Sequence, residues 1–154
     1  PVTLQTLAVF AVAGLLGPWR GCAAVVVYLA LGALGLPVFS GGSGGLGILM
    51  GVTGGYLGGF LPGVIVPGVL YRAWSRWAVT SKGRFFMTLA AMGVGQVICY
   101  TVGTAWLCAV YARGGEAVTV GVAFLWGVCP YLIPDAIKLA LAAAVAERGR
   151  RWVT

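Results

Sequence analysis

The chain has 154 residues, 60% of them hydrophobic and 8% charged, with a mean hydropathy of +1.00 and a formal net charge of +7. A water-soluble domain of this length needs far more polar surface than such a composition supplies, so the chain reads as an integral membrane protein. Its pI near 9.7 does not point to nucleic acid, because the ten Lys and Arg residues are dispersed between apolar runs instead of sharing one face.

A helix needs about 20 apolar residues to span the hydrocarbon, whereas a barrel alternates polarity in segments of about 10. No such alternation occurs, and the expected fold class is an all-α polytopic helical bundle, a single transmembrane domain over residues 1–154. The first apolar run, residues 3–16, is closed by Gly17-Pro18-Trp19-Arg20; the second, residues 21–36, by Pro37. The glycine-rich loop FSGGSGGLG (39–47) leads to a third run near 53–71, and the charged linker RAWSRWAVTSKGR follows. A fourth run covers 85–111, RGGE makes a short loop, and a last apolar region extends over 117–146. Pro130 and Pro134 divide that region into a short helical piece and a final spanning helix starting near Pro134, since proline breaks a helix interior but suits its first turn.

Basic residues of short loops mark the cytoplasmic side. Arg20, then Arg72, Arg76, Lys82 and Arg84, then Arg148, Arg150 and Arg151 fall on one side of the five expected spans, and Arg113 alone on the other. The glycine-rich loop and RGGE are thus expected outside and the C-terminus in the cytoplasm. Five spans place the N-terminus outside, and the abrupt opening at Pro1 suggests one further upstream helix, which would make six spans with both termini cytoplasmic.

Asp135 and Lys138 stand three residues apart at the outer end of the final helix, on one face of its first turn, where the helix dipole favours the carboxylate. Ionisable groups at membrane depth cost at least about 2.5 kcal/mol each, so they face a bundle interior or a watery pocket. One reading is a structural pair ordering the helix entrance. The other is a recognition point for a solute arriving from outside, with Gln96, Tyr100, Tyr56, Thr53 and Ser40 converging on it.

Other chemistry has little support. Cys22, Cys99, Cys108 and Cys129 form no CxxC pair and the chain has no His, so no metal site or cofactor is expected and the cysteines read as small packing residues. Gly42-Ser43-Gly44-Gly45-Leu46-Gly47 matches GxGxxG but lacks the strand and βαβ context a dinucleotide site requires. That loop suits a lid over a pocket or a tight connection equally well. Gly54 to Gly58, Gly55 to Gly59 and Ala140 to Ala144 have the spacing for close helix contact. No GxxxxGK[ST] occurs, so transport energy would come from a partner or a gradient, and the usual acid-base constellations of an enzyme are missing.

PVTLQTL, GPWRG, GLPVFSGGSGG, TGGYLGGF and PYLIPDAIKLALAA occur in the order seen in the BioY family, the biotin-binding S-components of energy-coupling-factor (ECF) transporters, and the chain resembles that family over nearly its whole length. The resemblance implies a six-helix membrane subunit that binds biotin on its outward side and passes it on through a transmembrane coupling subunit driven by two ATPase subunits. It implies that Asp135 and Lys138 meet the ureido ring, that Tyr56 and Thr53 are pocket positions, and that Phe39 and Ser40 belong to the loop over the ligand. Gln96, Tyr100 and Trp106 join the expected site from the fourth run, as surface for the thioether ring and valerate chain. The chain departs from the family pattern at Val52, where proline is common, and at Pro134, where glycine is. A membrane scaffold, in which the Asp-Lys pair locks an interface, and an S-component for another vitamin are the competing readings.

Overall fold

The computed structural model describes residues 3–153; Pro1 and Val2, which open the PVTLQTL motif, and Thr154 lie outside the described residues. Among the described residues six α-helices build the fold: α1 (Gln5–Ala33), α2 (Leu46–Met50), α3 (Gly54–Trp74), α4 (Ser81–Arg113), α5 (Val120–Gly127) and α6 (Leu132–Val153). Short 3-10 turns at Ser40–Gly42, Ser75–Trp77 and Cys129–Tyr131 join them, and no strand forms among the described residues. Among the described residues four helical stretches are long and apolar enough to cross a membrane: Gln5–Ala33, Gly54–Trp77, Ser81–Arg113 and Val120–Trp152. The protein is a multi-pass, all-helical membrane protein.

The first stretch is folded on itself. Gly17 takes φ 81° and ψ 179°, a conformation that breaks the helix and that side-chain-bearing residues avoid. The chain reverses there, for Gln5 Nε2 donates to the Tyr28 hydroxyl, whereas a straight helix would hold those residues about 34 Å apart. α1 is therefore an antiparallel hairpin with arms 5–16 and 18–33, the first two of the expected spans. Pro18, Trp19 and Arg20 do not close the first run as expected but begin the second arm, because proline's fixed φ and missing N–H suit a first helical turn. Pro18 cannot donate to the carbonyl four residues earlier, and Arg150 of α6 fills that vacancy with a 2.9 Å bond from Nε to Gly14 O.

Helices α3 and α4 pack backbone to backbone and run antiparallel. Cβ atoms added to Gly55, Gly59 and Gly63 would meet Trp106 Cβ at 2.1 Å, Cys99 Cα at 3.1 Å and Gly95 O at 3.1 Å. The expected stripe is thus Gly55–Gly59, extended by Gly63, while Gly58 faces open space and Gly54 serves the turn against Leu49 O. On α6 the close contact also sits one register away from expectation: Ala142, Ala143 and Ala146 are fully buried against Phe10, Ala11 and Met92, whereas Ala140 and Ala144 are only half-buried. In lipid, apolar burial supplies little drive between helices, so these small residues hold the bundle by close van der Waals contact.

Thr80 caps α4 by accepting from the Gly83 N–H at 3.1 Å, which starts that helix four residues before the expected position 85. α6 starts two residues ahead of Pro134, which lies in its first turn, and the Cys129–Tyr131 turn separates it from α5 as the prolines foretold. The glycine-rich loop has more structure than a plain connection. Positive φ at Gly41, Gly42 and Gly45 lets Phe39 and Ser43 pair as a bridge, and α2 follows directly.

Candidate functional site

One end of the bundle encloses a cavity of about 450 Å³, within the range of small-molecule sites. Its polar wall is built by α4 and α6. The break at Cys129–Tyr131 lets α6 begin inside the bundle, placing Asp135 in its first turn and Lys138 one turn on. Both are buried, at 5% and 7% exposure, and Lys138 Nζ donates to Asp135 Oδ1 at 2.9 Å. From α4, one turn apart, Tyr100 OH donates to Asp135 Oδ2 at 2.6 Å and Gln96 Nε2 to the same oxygen at 3.1 Å. The carboxylate thus receives hydrogen bonds from all three neighbours, which offsets its desolvation.

The opposite wall comes from the loop and α3. The tip of the Phe39 ring is wedged against Gly32, where a Cβ would fall 2.0 Å from Cζ, and the ring meets Tyr28 edge-on at 5.5 Å. Ser40, Thr53 and Tyr56 also line the cavity. The Tyr56 ring passes between Gly103 and Gly127, and a Cβ on either glycine would lie 2.1 Å or 2.0 Å from it or its hydroxyl. Ser40 Oγ and Gln96 Oε1 are buried beside this space with no hydrogen-bond partner among the described residues. Unpaired buried polar atoms are costly, so such atoms on a cavity wall are groups a ligand would satisfy.

Eight expected site residues line this one cavity: Phe39, Ser40, Thr53, Tyr56, Gln96, Tyr100, Asp135 and Lys138. Trp106 is not among the lining residues. Its Nε1 donates to Gly51 O at 2.9 Å, its face carries the Arg113 guanidinium at 5.7 Å, and it holds the α2–α3 turn against α4. Sequence reasoning missed Gln5, Thr6, Ser43 and Tyr131, which also line the cavity. Gln5 and Thr6 were legible only as polar residues opening an apolar run, and Tyr131 only as part of PYLIPD. Val52, a departure from the family pattern, lines the cavity as well, and Pro134 sits within the first turn of α6 without replacing a polar contact.

Comparison with known proteins bears on what such a cavity holds. The family model described as the BioY family matches residues 1–154. A biotin transporter BioY of Thermotoga maritima is 40% identical over 152 residues, covering 98% of this chain and 81% of that protein. A probable biotin transporter BioY of Pyrococcus horikoshii is 34% identical over 148 residues, covering 96% and 79%. The crystal structure of the S-component for biotin from an ECF-type ABC transporter superposes with a TM-score of 0.79 at 27% identity, over 98% of this chain and 76% of that one. By full-length family match, close relatives and shared architecture, this chain belongs to the BioY family.

Proposed function

We propose that this protein is the biotin-binding S-component of an ECF-type uptake transporter, a single substrate-binding membrane domain whose ligand is held by Asp135 and its neighbours. The observation that carries this reading is a buried, triply hydrogen-bonded carboxylate on the wall of a 450 Å³ cavity, with the unpartnered Gln96 Oε1 beside it. A ureido ring offers two N–H donors and one carbonyl acceptor. Of the roughly four acceptor positions of the Asp135 carboxylate, three are taken, so one N–H fits the fourth and the other meets Gln96 Oε1. The ureido carbonyl accepts from Lys138, whose Nζ donates to Asp135 alone among the described residues. Phe39, Tyr56 and Phe60 provide apolar surface for the thioether ring and valerate chain, with Ser40 and Thr53 at the loop side.

Biotin enters from the side of the glycine-rich loop, the extracytoplasmic face of the cell membrane, and leaves toward the cytoplasm together with a transmembrane coupling subunit and two ATPase subunits. Support for this sidedness is the gathering of Arg20, Arg72, Arg84, Arg148, Arg150 and Arg151 around two cavities at the opposite end, the signature of a cytoplasmic face. A structural-lock reading has one observation in its favour, the near-complete hydrogen bonding of Asp135 without any ligand. Calorimetry on the detergent-solubilised protein separates the two, using biotin and lipoate, which shares the carboxylate-bearing chain but lacks the ureido ring. Saturable biotin binding with lipoate at least about a hundredfold weaker is expected, because a site built on hydrogen bonds rejects analogues that leave its groups unpaired. Equal affinity for both would remove the ureido assignment, and a folded protein that binds neither would return the pair to a structural role.

A further inference from the structure

The basic end of the bundle holds a second cavity, of about 280 Å³, between the α1 turn, the end of α3 and α6. Arg20 and Arg72 both line it, and among the described residues neither has a carboxylate within 4.0 Å. Arg72 reaches the turn, its Nη2 3.3 Å from the place a Cβ on Gly17 would take, and Arg20 lines the same cavity from three residues further on; both side chains are exposed. Glu147, the acid at this end, is already engaged by Arg150, Thr88 and Arg84. The walls are fixed. Thr88 is 2% exposed and bonded to Glu147 at 2.6 Å, while Arg150 is held by Gly14 O and lies over the Tyr71 ring at 3.6 Å. Phe10, Ala13 and Met92 add apolar lining, and Leu16 lines the cavity while partly exposed.

Two exposed guanidinium groups lining one cavity give its mouth a positive potential that attracts an anion. Their planar, forked donors match the oxygens of a phosphate. We infer that this cavity binds a phosphate anion through Arg20 and Arg72, and that in the membrane the phosphate is the headgroup of an anionic phospholipid. Basic pockets between helices at a cationic membrane face have that chemistry, and lipid supplies phosphate at high local concentration there. Filling the cavity ties the α1 turn to the end of α3.

The test reconstitutes the full chain in nanodiscs of phosphatidylcholine alone or with phosphatidylglycerol, and counts retained phosphatidylglycerol by native mass spectrometry. One tightly retained molecule is expected, with affinity falling about thirtyfold in the R20A/R72A double variant. The charge-matched R76A/K82A variant, altered at the same end but outside the cavity, keeps it. Equal loss in both variants would mean diffuse charge attraction and overturn the inference, as would a wild type that retains no phosphatidylglycerol and gains no thermal stability from it or from inorganic phosphate. Stabilisation by inorganic phosphate in phosphatidylcholine, without lipid retention, assigns the same arginines to soluble phosphate and overturns the lipid source alone. If the double variant fails to fold, the single variants R20Q and R72Q replace it, each expected to weaken retention relative to R76A/K82A, and equal retention in all three would overturn the inference.

Discussion

Helix α6 carries two ion pairs of one pattern, an acid followed three residues later by a base: Asp135–Lys138 near its start and Glu147–Arg150 near its end. About 18 Å of helix separates them. Spacing and order are the same, yet their surroundings give them different work. The Glu147–Arg150 pair sits at the edge of the basic-end cavities, but its bonds are spent on the protein: on Thr88, on Gly14 O and, for the guanidinium, against the Tyr71 ring, and it repairs the carbonyl that Pro18 orphans. The Asp135–Lys138 pair faces open volume with an unpartnered Gln96 Oε1 next to it. An intramembrane pair is thus read as knot or as site by what its neighbours leave unsatisfied, not by its own geometry.

The comparison breaks most sharply at Asp135. D135N keeps the shape but turns an acceptor into a partial donor facing Lys138, Tyr100 and Gln96, and biotin affinity measured by calorimetry is expected to fall about a hundredfold or more while gel filtration shows a folded protein. The matched change E147Q is expected to leave biotin affinity within about threefold, since it lies a dozen residues from the cavity. If E147Q weakened binding as much as D135N, the division of labour on α6 would be wrong.

At the other pair, R150A removes the Gly14 cap, the partner of Glu147 and the stacking on Tyr71 together. Thermal or denaturant unfolding in detergent should show a loss of about 2 kcal/mol, reduced from the cost of a fully buried pair because these side chains are about one-fifth exposed. Y100F sharpens the site side: losing one 2.6 Å donor to the carboxylate should weaken biotin about tenfold with little change in stability. W106F is the smallest. It removes the bond to Gly51 O without touching the cavity wall, and a loss of about threefold or less in affinity is expected, appearing in the release rate if the α2–α3 turn loosens. A loss as large as that of Y100F would place Trp106 in direct contact with ligand after all.

The spans were legible because each is a long apolar run bounded by Gly, Pro or charge, and hydropathy depends on composition more than on neighbours. Registers within the spans were less legible. Gly54 and Gly58 look as suitable for helix contact as Gly55 and Gly59, and Ala140 and Ala144 as suitable as Ala142 and Ala146, because a helix rich in small residues offers several faces and only the partner selects one. Trp106 illustrates the same limit at the site. Six residues beyond Tyr100, it stands about 120° around α4 from that side chain, and Gly55 on α3 opens the slot that holds it away from the cavity.

By itself the sequence determined that the chain is a multi-pass helical protein, that its basic residues gather at one end, and that Asp135 and Lys138 share a face at the start of the last helix. These follow from hydropathy, charge count and helical period, which are local properties. Tertiary structure alone decided that Gln96 and Tyr100 turn their donors onto Asp135, that Gln5 and Thr6 reach the same cavity, and that Arg150 mends the break at Gly17-Pro18 by bonding Gly14 O from 136 residues away. Such contacts join residues distant in the chain, and they form only when packing between helices brings a buried polar group to the one neighbour able to satisfy it.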